Sequence, residues 1–157
     1  MSTQWQSTQQ PPPGSYGAGP ASGPRAGFWI RLGAYLLDSI IYGIVATILI
    51  VIAAVVSDVL LVVAIIVVTI GSVAYYVVFE GGPSGATPGK RVCSLKVVDS
   101  ETGGPIGYGR SFVRFLVRII SGIPIYLGYL WMLWDPQKQT WHDKAAKCLV
   151  VPADAYR

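Results

Sequence analysis

The sequence predicts a small all-α membrane protein. Its parts are a transmembrane helical hairpin, a re-entrant, proline-broken third membrane segment and a small cytosolic β-hairpin. Three observations lead there. Hydrophobic residues make up 52% of the 157 residues and charged ones only 13%, where an average soluble domain carries about 25% charged residues. Residues 39–57 and 59–79 contain no charge at all. At about 1.5 Å per residue each run is long enough to cross a hydrocarbon core of about 30 Å. Third, the basic residues gather on one side of those two runs, as the positive-inside rule expects of a cytoplasmic face. The length suggests one domain.

Residues 1–24 are rich in Gln, Ser, Pro and Gly and contain no Lys or Arg. Such a stretch buries too little apolar surface to offset the entropy of ordering, so a disordered tail is expected. A docking role is the sharper reading, since Pro-rich segments pre-form polyproline II, and Trp5 and Tyr16 would anchor it. No basic region stands directly before an apolar core, so no signal peptide is expected. The first apolar run is expected to be retained as an anchor.

The membrane domain is expected over residues 25–152, with 153–157 as a short tail. Residues 28–56 read as one helix about 43 Å long. That exceeds the hydrocarbon core, so the helix tilts or its start protrudes. Phe28, Trp29, Arg31 and Tyr35 give that start an interfacial mixture of charge and aromatics. Ser57-Asp58 is the only polar break before a second helix, 59–79. So short a connection forces antiparallel neighbours. The second run is rich in β-branched residues, which favour strands in water. In lipid the backbone must satisfy its own hydrogen bonds, and helix wins.

Turn residues follow, and then Val92, Leu95, Val97 and Val98 suggest a strand, Asp99 to Gly104 a turn, and Ile106 and Tyr108 a return strand. The predicted β-hairpin covers about 91–109. Residues 111–134 form the third apolar stretch, interrupted by Gly122 and Pro124. It reads either as one kinked span or as a segment that enters and returns. Arg25, Arg31, Lys90, Arg91, Lys96, Arg110, Arg114 and Arg118 all fall on one side of the first hairpin. A single third span would put Lys138, Lys144, Lys147 and Arg157 opposite them. A re-entrant segment keeps all 12 basic residues inside, and the charge bias favours it. Each half would be roughly 17 Å long, enough to enter but not to cross. A short polar helix and a strand, 148–151, close the chain, and this strand would pair with the predicted hairpin. Both termini are then cytoplasmic, in a multi-pass protein of the plasma membrane.

Arg31 and Asp38 are the most informative charges. Seven residues is two helical turns, so they share a face about 10 Å apart along the axis. Folding back at Ser57-Asp58 sets Asp38 level with about Val77, just inside the cytoplasmic boundary. A charged group there needs protein or water around it and a partner. One reading is a static contact that orients the helices; the other is a cation or proton site. Lys90, Arg91, Arg114 and Arg118 are candidate contacts to anionic lipid headgroups, where each basic residue contributes about 1 kcal/mol.

Several classes are disfavoured. Cys93 and Cys148 form no CxxC pair, and no His/Cys cluster suggests a metal; a disulfide is unexpected in a reducing compartment. His142 beside Asp143 lacks a partner ligand at suitable spacing. GGPSGATPGKR fails as a phosphate loop because its glycine spacing is wrong and Arg91 stands where Ser or Thr is required. No acid–base or nucleophile set indicates an enzyme. The basic residues flank apolar segments and form no nucleic-acid-binding domain. No cofactor is expected.

The pattern Arg31-x-x-Ala34-x-x-x-Asp38 at the start of the first membrane helix resembles the RDD family, named for one arginine and two aspartates. Thr87-Pro88-Gly89-Lys90-Arg91 followed by Leu95-Lys96-Val97-Val98 is similar to the same family. So is Trp141-His142-Asp143-Lys144-Ala145-Ala146 before a terminal strand. The resemblance covers about residues 25–152, and the tail is similar in composition to those of actinobacterial members. It implies that the named residues are Arg31, Asp38 and Asp143, with Asp135 the weaker choice for the second aspartate. The family's function is largely undefined, and transport, including sodium/proton exchange, has been associated with it. Two functions are therefore expected to compete. One is transport of a small ion or solute through several copies or with a partner, Asp38 handling the ion and Arg31 tuning it. The other is a non-transporting accessory protein or scaffold that binds lipid headgroups or a partner complex.

Overall fold

The structure is a computed structural model that describes residues 23–122 and 127–156. The expected disordered tail falls almost wholly outside the described residues, as do Pro124 and Arg157 of the expected break and C-terminal tail.

Helix α1 spans Phe28–Val56 and α2 spans Asp58–Gly81, so one residue, Ser57, separates them. Ser57 Oγ accepts from the Leu60 backbone N–H at 3.2 Å, a side-chain N-cap that satisfies one of the helix's orphan donors. Asp58 sits in the first turn of α2, where a negative charge complements the helix dipole. Along most of their length both helices present Val, Ile and Leu outward: Val55 is 82% exposed and Val59 73%. Both are long and apolar enough to cross a membrane. Ser39 Oγ donates back to Tyr35 O and Thr69 Oγ1 to Ile65 O, each at 2.8 Å, which satisfies these hydroxyls within their own helix.

The buried core lies at the other end, where the chain returns. Helix α3 (Pro88–Val92) leads through Cys93-Ser94 into strand β1 (Leu95–Asp99). Helix α4 (Gly107–Gly122) and the short α5 (Leu127–Leu130) come next, and a 3-10 turn over Trp131–Leu133 follows. Then α6 (Trp141–Ala145) leads through Ala146-Lys147 into strand β2 (Cys148–Pro152), and a final 3-10 turn covers Ala153–Tyr156. β1 and β2 pair antiparallel with Val97 opposite Val150. Alternation along the strands sends Leu95, Val97, Cys148 and Val150 against Ala26, Ala34, Ile106 and Ala146, and Val98, Leu149 and Val151 against Ala155.

This cap is built from two copies of one unit. Thr87 and Thr140 each N-cap a five-residue helix, accepting from the backbone N–H of Lys90 and of Asp143. In each copy the seventh residue after the threonine has a positive φ, Ser94 at 52° and Lys147 at 47°, and a five-residue strand follows. Val97 and Val150 occupy equivalent positions in the two units and also pair with each other. That register is the one a local two-fold axis between the strands produces.

The predicted β-hairpin over 91–109 is corrected. Its first strand and its turn form: Asp99 N donates to Gly104 O at 2.8 Å and Gly103 N to Asp99 O at 2.9 Å. The return strand does not. Ile106 is a buried core residue and α4 begins at Gly107. The helical spacing of Arg110, Arg114 and Arg118 on one face outweighs the short Ile106/Tyr108 alternation, and β2 takes the place beside β1. Helix α4 packs against α2 with that basic face and leaves Phe112, Leu116, Ile119 and Ile120 exposed on the other. α4 and the stretch Leu127–Leu133 differ in direction by 114°. The residues between them, 123–126, lie outside the described ones.

Candidate functional site

The polar residues of this end form one buried network. Arg31 and Asp38 share a face of α1, two turns apart as their spacing predicts, and take different partners. Each holds one unit of the cap. The Asp38 carboxylate is 1% exposed and accepts from Tyr75 Oη at 2.8 Å, from Thr87 Oγ1 at 2.5 Å and from the Gly89 backbone N–H at 2.7 Å. All three donors are uncharged. Two of them open the first unit, and the third lies on α2 within a turn of the expected level, Val77. Gly89 is required here, because a Cβ on it would lie 2.4 Å from Ala34 O and 2.8 Å from Asp38 Cγ.

Arg31 reaches the second unit. Its Nη1 donates to Asp143 Oδ2 at 2.7 Å, and its Nη2 to the Lys138 carbonyl at 3.0 Å and the Val150 carbonyl at 3.3 Å. Asp143 is fully buried. Arg114 Nε and Nη2 donate to its Oδ1 at 2.9 and 2.6 Å. The same carboxylate closes a capping box with Thr140. Burial alone would raise the Asp143 carboxyl; Arg114 and then Arg31 overcome it and hold it well below the usual carboxylate range.

Glu80 completes the network, and sequence reasoning missed it as a site residue. Near the end of α2 and 1% exposed, it receives Lys90 Nζ, Arg114 Nη1 and, at 2.9 Å, Arg118 Nη2. Arg114 thus bridges Glu80 on α2 to Asp143 on α6. The available signal was positional: Glu80 is the first charge after 21 uncharged residues (59–79), and basic residues follow at 90, 91, 114 and 118. Lys90, Arg114 and Arg118, expected at lipid headgroups, therefore face Glu80 and Asp143. Arg91 remains exposed, with Nη2 donating to Ser84 Oγ at 3.0 Å. Burial lowers Lys90 to about 8, against the pull of Glu80. Burial likewise drives His142 well below its ordinary value and pushes the Cys148 thiol up to about 12. Asp135, the weaker choice for the second aspartate, lies outside the network and pairs with Lys144.

Chemically, the network clamps. Ion pairs and hydrogen bonds from α1, α2 and α4 converge on the two cap units, and among the described residues no group of His, Cys, Asp and Glu is arranged to hold a metal. The fold and site define a protein with a long apolar helical hairpin, closed at its polar end by a two-unit helix–strand cap. The chain belongs to the RDD family, which it matches over residues 25–147, and the resemblance drawn from its motifs is borne out. It is similar to a proline-rich antigen homolog of Mycobacterium tuberculosis, 41% identical over 87 residues, covering 54% of this chain and 36% of that protein. It is also similar to the proline-rich antigen of Mycobacterium leprae, 36% identical over 74 residues, covering 47% of this chain and 30% of that protein. The chain thus spans about a third of the length of these antigens. An uncharacterized protein of Bacillus subtilis, YxaI, is 29% identical over 147 residues, with 80% of this chain and 96% of that protein covered. No solved structure matches.

Proposed function

We propose that this chain is a non-transporting membrane scaffold, not an enzyme. Its helical hairpin anchors a small charged cap at the cytoplasmic surface of the plasma membrane, where the cap serves a partner complex. The observation that carries this reading is that Asp38 and Asp143 are buried, Arg31 is partly buried, and all three are engaged in fastening the cap to the hairpin. An ion pathway needs such groups to exchange partners with water; a clamp needs them held. The positive-inside rule puts the cap, with its excess of Arg and Lys, in the cytoplasm. The amphipathic α4 and the sharp change of direction after it support a third segment that enters the membrane surface and returns. The exposed aliphatic faces of α1 and α2 leave room for lipid, for further copies or for a membrane partner. A Pro-rich tail suits docking to a soluble one.

One observation favours the rival reading, transport by several copies: the Asp38 carboxylate has only uncharged donors and lines a cavity. Reconstitution in proteoliposomes separates the two. The scaffold reading expects no cation-driven proton flux above protein-free vesicles, from wild type or Asp38→Asn alike. Robust flux that disappears in Asp38→Asn overturns it. Co-purification of one stoichiometric partner from native membranes, lost on deleting residues 1–24, supports it.

A further inference from the structure

A cavity of about 250 Å³ lies beside the network, walled by α1, α4 and the α5–α6 region, and the scaffold reading makes no use of it. We infer that it binds the phosphodiester headgroup of an anionic membrane lipid. This goes beyond the scaffold proposal and holds whether or not the cap has a protein partner.

Unpartnered polar atoms come first. Arg31 Nε, Arg118 Nη1 and His142 Nδ1 are buried and have no hydrogen-bond partner among the described residues, and all three residues line the cavity. Buried polar atoms of this kind cost free energy unless a ligand or water meets them. Charge is the second argument. Among the described residues the network holds four cations, Arg31, Lys90, Arg114 and Arg118, paired with Glu80 and Asp143, and Asp38 is a third carboxylate held by uncharged donors, so the cations outnumber the acids by one. Asp38, the carboxylate in the cavity wall, is turned to Tyr75, Thr87 and Gly89. A monoanion fits that balance, and a phosphodiester carries one charge with oxygens that match a guanidinium fork.

The remaining wall is apolar, with Phe28, Leu32 and Met132 among its residues. A hydrated free anion gains nothing from such a wall, whereas the glycerol and first methylenes of a lipid do. Phe28, Arg31 and Leu32 of the cavity wall come from the first turns of α1, where Trp29 is 79% exposed and Ile30 45%, an apolar surface beside which an acyl chain would lie.

The test is a thermal-stability titration of the full chain in neutral detergent with lyso-phosphatidylglycerol, lyso-phosphatidylcholine or inorganic phosphate. Saturable stabilisation by the phosphatidylglycerol alone is expected. Arg118→Met, which matches cations to carboxylates and leaves Glu80 two partners, should weaken the apparent affinity about tenfold to hundredfold. Met132→Trp fills the cavity without touching a charge and should weaken it at least as much. Equal stabilisation by the choline lipid overturns the charge argument. Equal stabilisation by phosphate assigns the site to a soluble anion and overturns the lipid. If either variant unfolds, the other decides; an affinity unchanged in whichever variant folds overturns the location.

Discussion

Replacing Asp143 by asparagine perturbs the network at its most connected acid. The carboxylate takes Arg31 Nη1 on one oxygen and both Arg114 Nε and Nη2 on the other, and it is fully buried. Asparagine is nearly the same size, so packing is kept. It carries no charge and turns an NH₂ group towards one of the two guanidiniums. Removing one partner of a buried pair costs about 3–5 kcal/mol, mainly because the remaining charge is left uncompensated. Arg31 loses its acidic partner and Arg114 one of its two, since Glu80 remains, so a loss within that range is expected. Reversible thermal or denaturant unfolding in detergent measures the loss, with Glu101→Gln on the exposed turn as a control expected within about 0.5 kcal/mol. The pH dependence carries the same information. The Asp143 carboxyl is depressed in the folded protein, so its contribution is fully present above the unfolded value of about 3.9. It is lost as pH falls through the folded value. Acid should therefore destabilise wild type more than Asp143→Asn. A loss below about 1 kcal/mol, or parallel acid profiles, would refute the clamp at this residue.

Three further outcomes follow from the geometry. Gly89→Ala should cost about 1–3 kcal/mol, because the new methyl meets Ala34 backbone and the Asp38 carboxyl, while Gly109→Ala, with open space around it, should be neutral or slightly stabilising in the same melting assay. Lys90 is lowered to about 8 by burial, so the unfolded chain holds that proton to higher pH. Stability should rise between about pH 8 and the unfolded lysine value of about 10.4, and Lys90→Met should lack that rise in a pH series of melts. Cys148 is completely buried, with its thiol pushed up to about 12. The thiolate is the reactive form, so maleimide should modify the half-buried Cys93 first and reach Cys148 only on unfolding, as mass shifts on each peptide would record.

The sequence made the hairpin legible because a membrane leaves little choice: two uncharged runs of spanning length must be helices, and one polar break between them must be a turn. It also singled out Arg31, Asp38 and Asp143. What it obscured was who meets whom. The spacing set Arg31 and Asp38 on one face two turns apart, but it did not tell that the two side chains reach the two different units of the cap. Glu80 escaped notice because it falls just beyond the apolar run, where it reads as part of a turn. The basic residues at 90, 114 and 118 read as lipid contacts for the same reason: their acidic partners stand 10 to 38 positions away, and ion pairing over such separations leaves no local pattern. The β1–β2 pairing joins residues 53 apart at Val97 and Val150. That pairing was legible in part, because the terminal strand, 148–151, was expected to pair with the hairpin whose first strand is β1.

Hydrogen exchange on the protein in lipid nanodiscs, wild type against Arg114→Met, tests the clamp most directly, because among the described residues Arg114 alone pairs with both Glu80 on the hairpin and Asp143 in the cap. The account predicts that the amides of β1, α6 and β2 lose protection together while those in the middle of α1 and α2 keep it. Unchanged protection of the cap strands in Arg114→Met would contradict it.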